Sequence, residues 1–345
     1  MAVYGLSERC ALLHAGQYGL MGAAKSGPAA PKCSDEEFME LFNRLGATKT
    51  ASHINSSERK VYERRRRLEA KYDEQLVAPT LSYLQAKYPH RLQHEVKNGT
   101  VLVGSDFHIW PGQNSTALRA FKKFADDLRP ALVILNGDVL DFPLIGRHAP
   151  IMWESAPEPF QEIEAAQDHL HDIAVACRRA RKVWNLGNHD ARFEANLAAN
   201  AKQYRNIKGV HLSDHFPLWE KGWSCAINSL IESGRTMVKH KPRGGGMNAA
   251  RASTLNSGWS FVHGHLHSQK VTPVTDYNGD RYGVDGGMVA DPSFKQFVNY
   301  TEDAPLDWRS GFPVLTYRDG RLMQPELVTV WDEKRVQFRG DLIRC

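Results

Sequence analysis

The sequence predicts an α/β protein: two packed mixed β-sheets flanked by helices, preceded by a small helical segment. Two observations predict it. Apolar runs and amphipathic stretches alternate from about residue 100 to residue 186, which is the pattern of a largely parallel sheet with helices on its faces. Beyond Gly222 the signal turns mostly to strands, which asks for a second sheet.

The elements follow in order. Ser34 or Asp35 is placed to cap a first helix, in which Phe38, Leu41, Phe42 and Leu45 recur at helical spacing until Gly46 breaks the pattern. A short stretch, Thr48 to Ile54, leads through Asn55-Ser56-Ser57 to a second helix over about Glu58 to Leu76. After Pro89, Arg91–Val96, the turn Lys97-Asn98-Gly99, and Thr100–Ser105 read as a hairpin. Ser115–Leu128 and Pro159–Ala180 read as helices, Leu132–Leu135 and Lys182–Asn185 as strands, and Asn248–Leu255 as a helix among later strands. Three regions result: a poorly ordered segment over 1–33, a basic helical segment over 34–90, and a catalytic domain over 91–345.

Composition narrows the setting. The chain has 345 residues, 42% hydrophobic and 24% charged, within the range of globular proteins. No run of eighteen apolar residues predicts a membrane span. Five scattered cysteines without a C-x-x-C pair point to a reducing, cytoplasmic compartment. Lys and Arg number 44 against 39 Asp and Glu, for a net charge of +5. Nine of those cations, against five acids, fall between Ser57 and Gln93, so the basicity is local and suggests a polyanion contact.

Five short blocks carry the chemistry: Asp106-Phe107-His108, Gly137-Asp138-Val139-Leu140-Asp141, Gly187-Asn188-His189-Asp190, a lone His240, and Gly264-His265-Leu266-His267. They offer carboxylates, a carboxamide and imidazoles, several directly after an apolar strand, where parallel sheets bind ligands. That donor set suits two transition metals side by side.

The order and spacing of these blocks resemble the calcineurin-like metallophosphoesterase superfamily over roughly residues 100 to 270. The resemblance implies that Asp106, His108 and His267 hold one ion, that Asn188, His240 and His265 hold the other, and that Asp138 bridges them. It implies attack by a metal-bridged hydroxide, with His189 as general acid and Asp141 as the carboxylate that orients it. Asp190 is a second candidate for that orienting role. Mixed nitrogen and oxygen donors fit Mn²⁺ first, with Fe, Zn or Ni as substitutes. Arg192, or Lys241 and Arg243 beside His240, could hold the substrate phosphate or serve as solvated loop cations.

The stretch around Asn55 resembles the helix-turn-helix of phage and bacterial DNA-binding proteins over about forty residues, with Ser56 departing from the usual apolar position. That resemblance would set Arg59, Lys60, Arg64, Arg65, Arg66 and Arg67 against DNA. The expected activity is hydrolysis of phosphodiester bonds, with DNA as partner and substrate. The alternative is a phosphatase or phosphodiesterase for small nucleotides or phosphoproteins, whose N-terminal helices serve oligomerisation.

Overall fold

The computed structural model describes residues 33–78, 88–146, 156–205, 207–218, 222–301 and 306–345. The segment expected to be poorly ordered, 1–33, lies outside them but for Cys33. The chain divides into two compact units between Ala86 and Lys87.

The first unit is helical. Helix α1 (Asp35–His53) starts from Ser34, whose hydroxyl accepts from the Glu37 amide while the Glu37 carboxylate accepts from the Ser34 amide. Gly46 interrupts α1 at φ 74° and ψ 175°. Asn55 then turns the chain with φ 50°, in the left-handed region that asparagine tolerates. Helix α2 (Glu58–Tyr72) follows, capped by Ser57. Phe38, Phe42, Ala51, Val61, Leu68 and Leu76 form the core of this unit. α2 stops at Tyr72, short of the expected Leu76, because Asp73 adopts φ 51°.

The second unit holds both sheets. One has the order β1 (Arg91–His94), β6 (Asn228–Ile231), β7 (Thr236–Lys239), β8 (Ser260–His263), β10 (Gly279–Gly286), β9 (Gln269–Asp276). The other runs β15 (Asp341–Arg344), β14 (Arg335–Phe338), β13 (Glu326–Asp332), β11 (Gly311–Arg318), β2 (Gly99–Gly104), β3 (Leu132–Asn136), β4 (Arg181–Asn185), β5 (Trp223–Ala226), with β12 (Arg321–Leu322) on β11. β2 to β5 are parallel and β11 to β15 antiparallel, which makes this sheet mixed.

Alternation assigns the faces. Val101, Val103, Ile134 and Val183 pack with Ile231, Val238 and Val262 to form the core between the sheets. Leu102, Val133, Leu135 and Trp184 point the other way, against α3 (Thr116–Asp127) and α4 (Pro159–Ala176). Helix α5 (Arg192–Asn200) follows the loop after β4, and α6 (Ala249–Ser257) packs on β8, β9 and β10. No helix among the described residues is long and apolar enough to cross a membrane.

The expected hairpin at Asn98-Gly99 is corrected. β1 pairs in parallel with β6, whereas β2 pairs with β3 and β11 in the other sheet. Local turn chemistry yielded to burial: Val101 to Gly104 are fully covered and need a partner strand on both edges. The Val96 amide goes instead to Ser233 Oγ, and the Asn98 side chain accepts from the Asp319 amide.

Candidate metal centre

Five strands of the second unit end at one rim. β2 leads into Asp106 and His108, β3 into Asp138 and Asp141, and β4 into Asn188 and His189. From the other sheet, β7 leads into His240 and β8 into His265 and His267. The loops after β2 and β3 are zipped together, since the Asp106, His108 and Ile109 amides donate to the carbonyls of Gly137, Asp138 and Val139.

Close packing of backbone makes this possible. A Cβ on Gly187 would overlap the Asp138 carboxylate and amide, and one on Gly137, at φ 87°, would sit 2.5 Å from the His240 ring. Asp106, His108, Asp138, His265 and His267 also hold positive φ, between 40° and 71°. Such left-handed non-glycine residues are uncommon and concentrate at functional sites. The two histidines of the last block therefore do not sit on an extended segment, and each reaches a different group of donors.

Three groups of donors result, the first two sharing His108: Asp106, His108 and His267; His108, Asp141 and His189; and Asp138, His240 and His265. His267 Nε2 lies 3.1 Å from Asp106 Oδ1, and His240 Nε2 lies 3.0 Å from Asp138 Oδ2. Asp106 also accepts from the His265 amide, and Asp138 Oδ1 accepts from the His189 amide. Asn188 stands apart from the others in being solvent-exposed, with no side-chain hydrogen bond among the described residues. His263, beside the last block, is fully buried, with Nδ1 against the Gly264 carbonyl.

The donor set fits divalent transition metals. His108 Nε2 and His267 Nδ1 are buried nitrogens without a hydrogen-bond partner among the described residues, a costly state unless a cation takes the lone pair. His240 shows the arrangement expected of a ligand, because Nδ1 lies 2.9 Å from the Asn136 carbonyl, which sets the tautomer and turns Nε2 toward the Asp138 carboxylate. Burial would lower the His240 pKa, yet the charges of Asp138 and Asp106 push it up to about 10. The carboxylates thus favour a positive charge at that point. His265 is held down to about 4, by burial first and then by the nearby charge of His240.

Asp141 and Asp190 have distinct places. Asp141 Oδ1 lies 2.7 Å from His189 Nδ1 and 3.3 Å from His108 Nδ1. Burial alone would raise the Asp141 pKa, but hydrogen bonds from His108 and His189 hold it far below the usual carboxylate range. Asp190 is completely buried and accepts from the amides of Asp138, Val139, Leu140 and Gly187 and from Trp184 Nε1. It braces the loop after β3 rather than the His189 ring.

A profile of calcineurin-like phosphoesterase matches residues 99–289. The chain belongs to that family. This calcineurin-like phosphoesterase is also 28% identical, over 251 residues, to the gene 54 protein of Mycobacterium phage D29, across 67% of this chain and 93% of that one. Among solved structures, it is similar to Vps29 of Chaetomium thermophilum (11% identity, TM-score 0.38, covering 71% of this chain and 97% of that one). A dimetal phosphatase from Danio rerio is similar at 12% identity and TM-score 0.35, covering 72% and 98%. Family and donor groups together make the protein a metal-dependent hydrolase of phosphate esters.

Several contributors to the site carried no readable signal in the sequence. Phe297 packs edge-on to His108 at 5.3 Å between ring centroids, and Trp308 packs on His267 at 4.5 Å. Both lie beyond the five blocks. Beneath the site, the buried Asn185 amide donates to Asn136 Oδ1 and to the Val238 carbonyl while accepting from Ser229, and so ties the two sheets together. Asparagine as the last residue of both β3 and β4 was the available clue.

In the helical unit the basic run splits. Arg64 donates to the Cys33 and Ser34 carbonyls, pairs with Asp35 at 3.0 Å, and lies over the Phe38 ring at 4.6 Å. Arg65 pairs with Glu69 and covers Phe42. Arg59 pairs with Glu63 in the open, whereas Lys60, Arg66 and Arg67 are exposed, Arg66 donating to the Tyr62 carbonyl.

Proposed function

We propose that this chain is a two-ion phosphatase or phosphodiesterase acting on small nucleotides or phosphoproteins. Asp106, His108, His267 and Asp138 would hold one ion, and Asp138, Asn188, His240 and His265 the other. Mixed nitrogen and oxygen donors favour Mn²⁺. The observation that carries the reading is the His189–Asp141 contact of 2.7 Å, set directly beside the donor groups. When bound, the ions supply positive charge to the ester and acidify water.

The remaining chemistry belongs to the chain. Asp141 accepts the Nδ1 proton of His189, so Nε2 is the nitrogen presented to the leaving oxygen. Arg192 Nη2 lies 3.0 Å from that Nε2, and its Nη1 donates to the Asp141 carbonyl. While Arg192 donates to Nε2, that nitrogen carries no proton to give. The substrate phosphate is the group that would draw the guanidinium away, leaving Nε2 to take a proton from solvent water and pass it to the departing alkoxide. Arg192 would then be the phosphate's positioning cation.

A second reading directs the same chemistry at DNA. Exposed Lys60, Arg66 and Arg67 on α2, after the left-handed turn at Asn55, favour it. The internal engagement of Arg64 and Arg65 weighs against a contact made by the whole run. A phage or bacterial setting accords with the D29 relative. In the first reading the N-terminal helices serve oligomerisation.

The test is a side-by-side assay of Mn²⁺-loaded protein and its His189→Ala variant on duplex DNA, single-stranded DNA, a nucleotide phosphodiester, a phosphopeptide and a phosphomonoester. Turnover of small esters alone, abolished in the variant, supports the first reading. DNA cleavage abolished in the variant moves the function to a nuclease.

A further inference from the structure

The outer face of the β1–β6–β7–β8 sheet carries a groove of about 630 Å³ beside α6. Its floor follows from strand register. Leu230 on β6 pairs with Met237 on β7, and Met237 with Phe261 on β8, which makes one apolar cross-strand row. Val238, between Met237 and Lys239, points inward to the core between the sheets, so its two neighbours point out. Trp259, half-buried just before β8, closes the apolar end.

The rim is basic. Arg91 and Lys239 occupy the next cross-strand row through Asn228, and Lys241 and Arg243 follow on the chain beyond β7. Arg91, Lys241 and Arg243 are exposed and Lys239 is half-exposed. No carboxylate lines the groove among the described residues. Lys239 and Lys241 flank His240, so the same piece of chain that reaches the metal centre also forms the rim.

We propose that this groove binds a single strand of nucleic acid, with phosphates along Arg91, Lys239, Lys241 and Arg243 and a base on Trp259. Two features select this occupant. Four cations on a rim that holds no carboxylate call for a polyanion, and an apolar floor with an indole beside them suits a base, the combination found in sequence-tolerant single-strand sites. A carboxylate-rich peptide satisfies the rim and leaves the floor unused. The proposal concerns binding and stands apart from which ester is hydrolysed.

The test uses the metal-loaded full chain and a fluorescein-labelled, phosphorothioate-linked thymidine decamer, read by anisotropy. Arg91→Glu with Lys239→Glu is expected to weaken binding by about tenfold or more and to flatten the log–log salt slope by about 0.7 for each phosphate no longer neutralised. Trp259→Ala is expected to cost on the order of tenfold, and Trp259→Phe to restore most of it. Arg66→Glu with Arg67→Glu, on α2, is expected to leave binding within about twofold. Full binding by a folded Arg91→Glu/Lys239→Glu protein overturns the proposal, as does a weakening confined to the α2 variant. Equal affinity for a glutamate decamer overturns the choice of nucleic acid. Each readout is independent of turnover, so failure here leaves the hydrolytic reading standing, and the reverse holds.

Discussion

His189 Nδ1 lies 2.7 Å from Asp141 Oδ1, and this contact leaves Nε2 as the ring nitrogen available for the proposed proton transfer. Replacing His189 by Ala removes the proposed proton donor and leaves Asp106, Asp138, His240, His265 and His267 in place. Turnover is expected to fall by about 100- to 10,000-fold. Metal content, measured by elemental analysis of the purified protein, should stay unchanged. An equal drop in metal would remove His189 from its assigned role.

Asp138 faces both sides of the site, with one oxygen toward His240 and the other toward the His189 amide. Asp138→Asn keeps the shape and removes the charge that both ions would share. Bound metal is expected to drop sharply, by the order of 10- to 100-fold in affinity or more. Titration of the apo-protein followed by calorimetry reads this directly, and unchanged stoichiometry and affinity would contradict a bridging place for Asp138.

Gly187→Ala tests the close approach of the loop after β4 to Asp138. The added methyl meets backbone as well as carboxylate, so a neighbour must move. A destabilisation of about 1–3 kcal/mol in denaturant unfolding is expected, together with weaker metal binding.

The basic run predicts two behaviours from like residues. Arg64→Ala removes the bonds to Cys33, Ser34 and Asp35 and uncovers the Phe38 ring, so the helical unit should be destabilised by about 1–2 kcal/mol. Arg67→Ala on the exposed side should change stability by less than about 0.5 kcal/mol. Thermal unfolding followed by circular dichroism distinguishes the two.

His94 predicts a pH dependence. Burial, then the charge of Arg181, lowers its pKa to about 4 from the ordinary 6.5. The unfolded chain therefore binds a proton between those values while the folded chain does not. Stability is complete above about pH 6.5 and falls as pH drops toward 4. His94→Gln should make the denaturant midpoint fall less steeply across that window, and an unchanged slope would show that His94 is not a source of it.

Much of the fold and site was legible in the sequence, and the rest was hidden for identifiable reasons. Phe38 and Phe42 announced α1, and Val101 to Val103 announced β2, because their periodicity is the burial itself. The ligand candidates were legible because their residue types are rare directly after apolar strands. The Asn98-Gly99 turn misled because a two-residue signal cannot report that its flanking strands join different sheets. Arg64 and Arg65 looked like a polyanion surface, since nothing in a run of arginines tells which of them stack on the phenylalanines of another helix. Phe297 and Trp308 reach the histidines only through long-range folding.

The left-handed backbone at Asp106, His108, Asp138, His265 and His267 has a consequence for which sequences could ever occupy this rim. Apart from glycine, the residues that enter that conformation most readily are asparagine, aspartate and histidine. Those three are also hard-to-borderline donors for divalent ions. The vocabulary of the sharp turn and the vocabulary of coordination coincide here, so one choice of residue answers two demands. A glutamate or cysteine could satisfy an ion but fits the turn less readily, and a glycine could satisfy the turn but offers no side-chain donor. Variation at these positions is therefore narrowed from two directions at once.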